Sequence, residues 1–410
     1  MKFLLKIYIA ALYNAAKRNN LDIMYYLLMK QEKIDHEFFV KCEKLTKVLI
    51  PATIKSIGQF AFYKCLSLSY ISIDSSLQSI ENSVFYKCCS LTKIKIPLSV
   101  TSIGKESFLG CSSLKKIIIP SSVTFIGDSA FEDCNLLTEI TIPPSVKQLG
   151  KAVFRRCSSL KKVSIFCCLD SFNDHLFCGC VSLESINIQS SVKTIGNNAF
   201  LKCSSLKEIN LPSSLIYIGI GAFQQCSNIQ TFSMPKTIKS IERNTFKGCS
   251  SLNKLIIPSS INSIGESAFS ECYSLEKLII PSSVTTFLEN SFSKCYILKE
   301  VIFNCHITKL PEYGFDKCHN LNKMIIPSSV QSIRKFAYDQ LSLLKKVLFT
   351  VPSSLERIER FSILGCKSLN QIISPSSLKE YGSYAFENCL SLAHVSFEVD
   401  LNLFIIKKKK

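Results

Sequence analysis

Cysteine is the residue type that offers the most chemistry in this 410-residue chain, which contains 20 cysteines. Thiols can form disulfides, bind metal ions or pack as small buried groups, and their spacing helps to separate these uses. Cysteines recur every 23 residues from Cys42 to Cys318, Leu341 fills the next slot, and the phase resumes at Cys366 and Cys389 after a two-residue insertion. This period indicates a column of equivalent side chains in a repeat protein.

The column favours buried free thiols over disulfides. Equivalent residues in stacked coils lie about 4.8 Å apart, which permits bridging by distance, but parallel inward-pointing side chains have poor geometry for it. A buried thiol behaves as a small apolar group with a weak donor that can serve turn carbonyls. We expect thiol titration in denaturant to recover nearly all 20 groups as free.

Metal binding is the alternative for cysteines outside the regular pattern. The least regular unit contains five metal-capable side chains: Cys167, Cys168, His175, Cys178 and the columnar Cys180. Two Cys-His pairs occur later, at Cys305-His306 and Cys318-His319. Neither arrangement has the spacing of a standard zinc ligand pair, so the sequence favours no metal site, and the unit around Cys167 stays open.

Catalysis has little support. The five histidines are scattered among the repeat phases, without a partner acid and nucleophile in the same phase, and neither a P-loop nor a dinucleotide-binding phrase is present. The sequence therefore predicts a protein that is not an enzyme and uses no cofactor.

The repeat defines the elements that carry these residues. Phe stands three positions before the cysteine slot in 14 of 16 units, and Leu stands three positions after it in 15 of 16. Leu114, Ile117 and Ile119 form the L-x-x-L-x-L strand signature of leucine-rich repeats, Pro120 ends the strand, and Gly127 suits a close backbone approach. We predict an α/β leucine-rich-repeat solenoid of 16 units, with short parallel strands and short helical turns.

This pattern resembles the BspA-like leucine-rich repeat family, which occurs in bacterial and protozoan surface antigens. The resemblance covers residues 39–397, and the phrase Ile-Pro-Ser-Ser-x-x-x-Ile-Gly-x-x-Ala-Phe-x-x-Cys-x-Ser-Leu stands at 257–275. It implies a ligand-binding or adhesive solenoid, often displayed on a cell surface. The competing interpretation is an intracellular scaffold or signalling adaptor built on the same solenoid.

The two ends differ from the repeats. Residues 1–38 predict a helical cap, because Leu12, Ala15 and Ala16 share one helical face and a second face follows the Asn19-Asn20 turn. This helix pair resembles an ankyrin repeat, which leaves a partner-binding fragment as the alternative. Residues 398–410, with four terminal lysines, are predicted to be a solvated basic tail that interacts weakly with anionic surfaces.

The sequence leaves the location open. Residues 1–11 could pass for a weak signal peptide, but Lys6 interrupts their apolar run, and no stretch approaches the ~20 apolar residues of a membrane span. No Asn-x-Ser/Thr sequon occurs. Family resemblance favours the cell surface, whereas the absence of a clear signal, an anchor and sequons favours the cytoplasm.

The outward strand positions are where a protein partner is expected to bind. Seven residues after the cysteine slot, polar residues give way to six consecutive aliphatic residues: Ile256, Ile279, Ile302, Ile325, Leu348 and Ile373. We call these six the apolar ribbon, and contiguous apolar surface of this kind marks binding sites. Beside it lie Lys254, Lys277, Lys323 and Lys346. The pattern suits an extended polypeptide with acidic and apolar residues, or an amphiphile; strand propensity alone is the simpler alternative.

The formal charge of +18 favours acidic partners. Lysines are dispersed through nearly every unit, and only Tyr70 adds an aromatic ring to the outward columns. We therefore expect non-specific, salt-sensitive binding of nucleic acid and no dedicated recognition.

Overall fold

The computed structural model describes residues 2–397. The chain divides into two compact units, Met1–Ile238 and Lys239–Lys410. Two helices open the first unit, α1 (Lys2–Lys17) and α2 (Leu21–Leu28), and everything after them is built from short parallel strands and turns. Each unit is a β-solenoid with 23 residues per turn, as the sequence predicts.

Most coils contribute a front strand after the cysteine slot and a return strand on the opposite side, whereas the front segments of the Cys111 and Cys203 coils form only isolated bridges, at Lys116 and Asn210. The strands of the first unit are β1 (Lys33–Ile34), β2 (Lys47–Ile50), β3 (Ser56–Ile57), β4 (Tyr70–Ile73), β5 (Ser79–Ile80), β6 (Lys93–Ile94), β7 (Ser102–Ile103), β8 (Phe125–Ile126), β9 (Glu139–Ile142), β10 (Gln148–Leu149), β11 (Lys162–Ile165), β12 (Ser171–Phe172), β13 (Ser185–Ile186), β14 (Thr194–Ile195), β15 (Tyr217–Ile218) and β16 (Thr231–Ser233). Strands β2, β4, β6, β9, β11, β13 and β16 are front strands, and the others are return strands.

The second unit continues the alternation. Its strands are β17 (Ser240–Ile241), β18 (Lys254–Ile256), β19 (Ser263–Ile264), β20 (Lys277–Ile280), β21 (Thr286–Phe287), β22 (Glu300–Phe303), β23 (Lys309–Leu310), β24 (Lys323–Ile326), β25 (Ser332–Ile333), β26 (Lys346–Phe349), β27 (Arg357–Ile358), β28 (Gln371–Ser374), β29 (Glu380–Tyr381) and β30 (His394–Phe397). The odd-numbered strands are return strands. The two-residue insertion lies between β26 and β27, and the register recovers because Ser332 pairs with Arg357.

Period-two alternation sets which side of each front strand is buried. In β20, Leu278 and Ile280 are buried whereas Lys277 and Ile279 are exposed. Because successive side chains of a strand point to opposite faces, the L-x-L step of most repeats supplies the core and the residues between supply the outer surface. Leu255 of β18 is an exception and is only half-buried. Proline follows many front strands, as Pro281 follows β20, and it has no N–H with which to continue the ladder.

Glycine allows the return strands of neighbouring coils to approach closely. A Cβ on Gly127 would lie 2.6 Å from the backbone nitrogen of Lys105 in the preceding coil. The return ladder is interrupted between β3 and β5, β10 and β12, and β21 and β23, where the glycine slot holds Glu81, Asn173 and Pro311. Not every replacement breaks the ladder, because Leu288 still donates its N–H to the Ile264 carbonyl at 3.0 Å.

The segment between return and front strands consists of consecutive turns rather than the predicted helical turn. Two residues in each unit, five and one positions before the cysteine slot, have positive φ, for example Phe60 and Lys64. This backbone region is incompatible with a right-handed helix. It turns N–H groups toward the next coil, so that Phe62 donates to the Val84 carbonyl at 2.9 Å and Lys64 to that of Tyr86 at 2.8 Å.

The core contains two files of side chains, as the sequence predicts. The repeat phenylalanines are buried and stacked, with ring centroids of Phe131 and Phe154 5.7 Å apart and those of Phe154 and Phe177 5.6 Å apart. Beside them, each thiol donates to the carbonyl of the aromatic-slot residue one coil earlier. This holds at 3.0–3.4 Å for Cys65, Cys88, Cys111, Cys134, Cys157, Cys180, Cys203, Cys226, Cys272, Cys295, Cys318, Cys366 and Cys389. The predicted thiol-to-carbonyl bond is therefore confirmed, and all 20 cysteines are free thiols.

The N-terminal helices pack on the first coils. Helix α2 contacts α1 and β2, and Met24 and Leu28 are buried. Between the helices, Asn19 has a positive φ, and its side-chain oxygen accepts the N–H of Thr46 at 3.0 Å. The first return strand, β1, lies within residues 1–38, the segment predicted as the cap. It pairs with β3 of the next coil. The predicted basic tail, residues 398–410, lies outside the described residues.

Candidate functional site

The apolar ribbon lies on the outer face of the front strands in the second unit. Ile256, Ile279 and Ile325 are 59%, 47% and 46% exposed, Ile373 is also exposed, and the remaining two members are half-buried. Strand pairing aligns the members, because Ile279 is in register with Ile302, and Ile325 with Leu348. The structure thus brings these predicted residues into line and leaves them accessible.

The neighbouring lysines differ in their partners. Lys277 forms an ion pair with Glu300 at 2.7 Å. Lys323 and Lys346 are in direct register on β24 and β26, and neither has a carboxylate partner within the described residues. Lys254 likewise has none there. Like charges on adjacent strands are unfavourable unless an anion lies nearby, so Lys323 and Lys346 favour a partner that supplies carboxylates.

A depression of about 340 Å³ interrupts the ribbon between β22 and β24. These two strands are neighbours, but no hydrogen-bonded ladder joins them. Ile302 and Phe303 form one wall, Ile325 and Pro327 form the other, and Lys323 lies at the side. A single apolar side chain of a ligand fits a depression of this size, with an ammonium group within reach of a neighbouring carboxylate.

The cysteine-rich irregular unit forms no metal centre in the described part of the chain, where no group of three or more His, Cys, Asp and Glu side chains could hold an ion. Cys167, Cys178 and Cys180 are buried while Cys168 is exposed. Burial, followed by the charge of Arg155, lowers the pKa of His175. At the later pairs, Cys318 belongs to the core file, whereas His319 stacks on Tyr296 at 5.5 Å.

Two features of the turn segment that precedes each cysteine slot were not identified from the sequence. Asp316 and Asp339 occupy the same slot of consecutive coils, are buried, and each has one carboxylate oxygen without a hydrogen-bond partner. A surface stack of aromatic rings lies close by in sequence, with centroids 4.9–5.5 Å apart, at Tyr313, Phe336, Phe361 and Tyr384. Both could have been found by reading one slot across successive units, two and five positions before the cysteine.

No helix among residues 2–397 combines the length and the apolar character needed to cross a membrane. A search of curated proteins found no match to the sequence. Solved structures do resemble it. A leucine-rich repeat protein from Bacteroides ovatus is 28% identical over 89% of this chain and 88% of its own, with a TM-score of 0.73. A leucine-rich cell surface protein from Faecalibacterium prausnitzii is 30% identical over 66% of this chain and 76% of its own, with a TM-score of 0.49.

The profile of the BspA type leucine rich repeat region matches in overlapping segments: residues 32–161, 126–252, 170–299, 221–345 and 332–408. These segments span most of the chain and coincide with the coils described above. The 23-residue period, the files of Phe and Cys side chains, and the profile match agree. The chain belongs to the BspA-type leucine-rich repeat family.

Proposed function

We propose that this protein is a non-catalytic binding protein that holds an extended polypeptide on the front face of its second unit. Members of leucine-rich repeat families typically bind protein partners. The ligand we propose carries alternating apolar and acidic side chains. Its apolar groups would contact the apolar ribbon, and its carboxylates would approach Lys254, Lys323 and Lys346.

The observation that carries the proposal is the alignment of aliphatic side chains beside unpaired lysines. Six consecutive outward positions are aliphatic, and several are about half exposed to solvent. Exposed apolar surface favours association, while the unpaired ammonium groups select acidic partners. The break between β22 and β24 adds a depression where one ligand side chain can be buried.

Peptide selection followed by mutagenesis tests the proposal. A library of random linear peptides is displayed on phage and selected against the full chain. We expect enrichment of sequences in which Asp or Glu alternates with aliphatic or aromatic residues. Synthetic enriched peptides should then lose about tenfold or more in affinity for the Ile279→Ser/Ile302→Ser/Ile325→Ser variant, because three apolar contacts are removed.

A matched control variant distinguishes binding at the apolar ribbon from non-specific binding to exposed aliphatic residues elsewhere. Ile216, Ile220 and Leu390 are also exposed aliphatic residues, and they lie off the apolar ribbon. The Ile216→Ser/Ile220→Ser/Leu390→Ser variant should bind the peptides as the unchanged protein does. Equal binding by the ribbon variant and the unchanged protein would remove this face from consideration.

Surface display is the location we propose, and family membership supports it. Antibody labelling of a tagged chain in intact and permeabilised cells tests the location. Labelling of intact cells is the expected result. Labelling only after permeabilisation would instead favour the intracellular scaffold. For residues 1–38 we propose a capping role, supported by the packing of α2 against β2.

A further inference from the structure

A second charged surface lies on the front face of the first unit, in the coils of Cys88 to Cys157. It has six exposed lysines, which we call the basic patch: Lys93, Lys95, Lys115, Lys116, Lys161 and Lys162. Four consecutive coils span about 15 Å at the strand spacing. Glu139 is the one acidic residue among the front-strand positions of these coils.

The strand register concentrates this charge. Lys93 forms a parallel bridge with Lys116, and Lys162 is in register with Glu139. Glu139 accepts a hydrogen bond from Lys116 at 2.8 Å. This bond, then the charges of Lys116 and Lys162, lowers the pKa of Glu139. The other five lysines form no ion pair within the described chain, although Lys162 also faces Glu139, so the fold holds together charges that repel one another.

The surface between the lysines is not uniformly polar. Ile118 is 72% exposed and occupies the same outward slot of the repeat as Thr141 and Ser164, which are in register with each other. A depression of about 400 Å³ is lined by these three residues together with Lys116, Glu139 and Lys162. A ligand at this place therefore meets the apolar side chain of Ile118, two hydroxyl groups and the ammonium group of Lys162, beside the ion pair of Lys116 with Glu139.

These surroundings distinguish among polyanions. Single-stranded nucleic acid is normally held by aromatic rings on which bases stack. The outward front-strand positions of these four coils carry no aromatic residue, and the exposed Phe166 lies beyond the end of β11. The patch contains no arginine, whose planar group matches phosphate. A sulfated glycan offers Ile118 only the C–H groups of its sugar rings, whereas a polypeptide can place an aliphatic side chain there between two carboxylates.

We propose that the basic patch is an independent binding site for an acidic polypeptide segment in extended conformation. Its carboxylates pair with Lys93, Lys115 and Lys162, and an aliphatic side chain between them packs on Ile118. The site is in the first unit and shares no residue with the apolar ribbon, so either proposal can fail without the other. Because long-range attraction between opposite charges raises the association rate, the patch speeds capture of such segments.

Fluorescence anisotropy with a labelled peptide of alternating Glu and Val tests the proposal on the full chain. We expect the Lys93→Gln/Lys115→Gln/Lys162→Gln variant to bind about tenfold more weakly at moderate salt. The control removes three exposed lysines that lie outside the front face, as Lys147→Gln/Lys193→Gln/Lys202→Gln, and should change affinity less than about twofold because it alters only net charge. Circular dichroism confirms that both variants are folded.

Two further measurements complete the test. Ile118→Ser should weaken binding of the Glu-Val peptide but leave binding of a Glu-Ser peptide unchanged. Equal losses in the patch variant and the control would show that only net charge matters and would overturn the proposal. Patch-dependent binding of heparin or oligo(dT) that is tighter than that of the peptide would also overturn it, by assigning the patch to a glycan or to nucleic acid.

Discussion

The thiol of Cys157 donates a hydrogen bond to the main-chain oxygen of Phe131, one coil earlier, at 3.1 Å. The same carbonyl also accepts the N–H of Cys134 at 3.3 Å, so the thiol supplies a second donor to a buried oxygen that has two lone pairs. The thiol bond accounts for the residue type, because the site needs a small apolar group that can donate a hydrogen bond. The same relationship recurs along the core of each unit, so within a unit most coils are joined to the previous one by a thiol as well as by backbone hydrogen bonds.

The first prediction concerns this bond. Cys157→Ala should lower the free energy of unfolding by about 1–2 kcal/mol, because it removes one of the two donors to the Phe131 carbonyl and opens a small cavity. Equilibrium urea unfolding measures the change. The exposed Cys168 provides the comparison, since Cys168→Ala should change stability by less than about 0.5 kcal/mol. Equal effects of the two substitutions would show that the bond does not stabilise the fold.

The second prediction concerns the close approach of return strands. Gly150→Ala should be strongly destabilising, by about 2–4 kcal/mol, because the added Cβ would lie 2.4 Å from the backbone nitrogen of Asp128. Thermal unfolding checks this, with the exposed Ser121→Ala as the control. A melting temperature unchanged by Gly150→Ala would mean that the coils can separate at no cost.

The third prediction concerns pH. Burial, followed by the charge of Asp316, raises the pKa of Asp339 to about 6. Since this is above the value of about 4 in the unfolded chain, the folded state keeps the proton longer, and stability falls as the pH rises from about 4 to 6. Asp339→Asn should remove this fall and stabilise the protein at pH 7 by about 1–2 kcal/mol, after allowance for solvent screening.

Urea unfolding of the unchanged protein and of Asp339→Asn at several pH values provides the measurement. Glu81→Gln serves as the control because this carboxylate is not fully buried and its hydrogen-bond partner is Ser79, at 2.5 Å. Parallel pH profiles for the unchanged protein and Asp339→Asn would contradict the prediction.

The fourth prediction concerns the left-handed residue just before the cysteine slot. Gly248 has a φ of +73° there, and Lys202 has +63° at the equivalent place. Gly248→Val should cost about 1–2 kcal/mol because β-branched residues strongly resist this region, whereas Gly248→Asn should cost much less. Lys202→Gly should be neutral or slightly stabilising. Differential scanning calorimetry measures all three, and equal stability of the Val and Asn variants would contradict the explanation.

The repeat made the core predictable. Reading Leu114, Ile117 and Ile119 as an inward strand and Phe131 as a core ring required only the period and strand alternation, because every unit repeats the same requirement. The turn segment was less predictable. Its left-handed residues include Phe60 and Lys64, which carry none of the glycine signal that normally marks such positions.

The sequence predicted which residues line up on the outer face of the candidate site, but not the depression that they form. Sequence spacing placed Ile302 and Ile325 on one face, whereas the missing ladder between their strands depends on small shifts between coils that no single residue signals. Lys277 forms an ion pair with Glu300, whereas Lys323 does not. This difference between two lysines in the same slot depends on side-chain geometry. The raised pKa of Asp339 follows from its burial and then from the charge of Asp316 in the neighbouring coil, and composition reports neither.

Each hydrogen bond from a thiol to a carbonyl joins residues at a fixed separation in the sequence, and this separation determines how such a chain can change in length. Donor and acceptor are 26 residues apart in every regular coil, for example at Cys88 and Phe62, but 28 residues apart at Cys366 and Tyr338, where the extra two residues bulge out between β26 and β27. Duplication or loss of a whole 23-residue segment therefore preserves every bond, whereas a single-residue deletion inside a strand would turn its inner side chains outward. A chain of this kind can therefore lengthen or shorten in whole coils, and the one departure from the 23-residue spacing between Cys42 and Cys389 lies outside the strands, between β26 and β27.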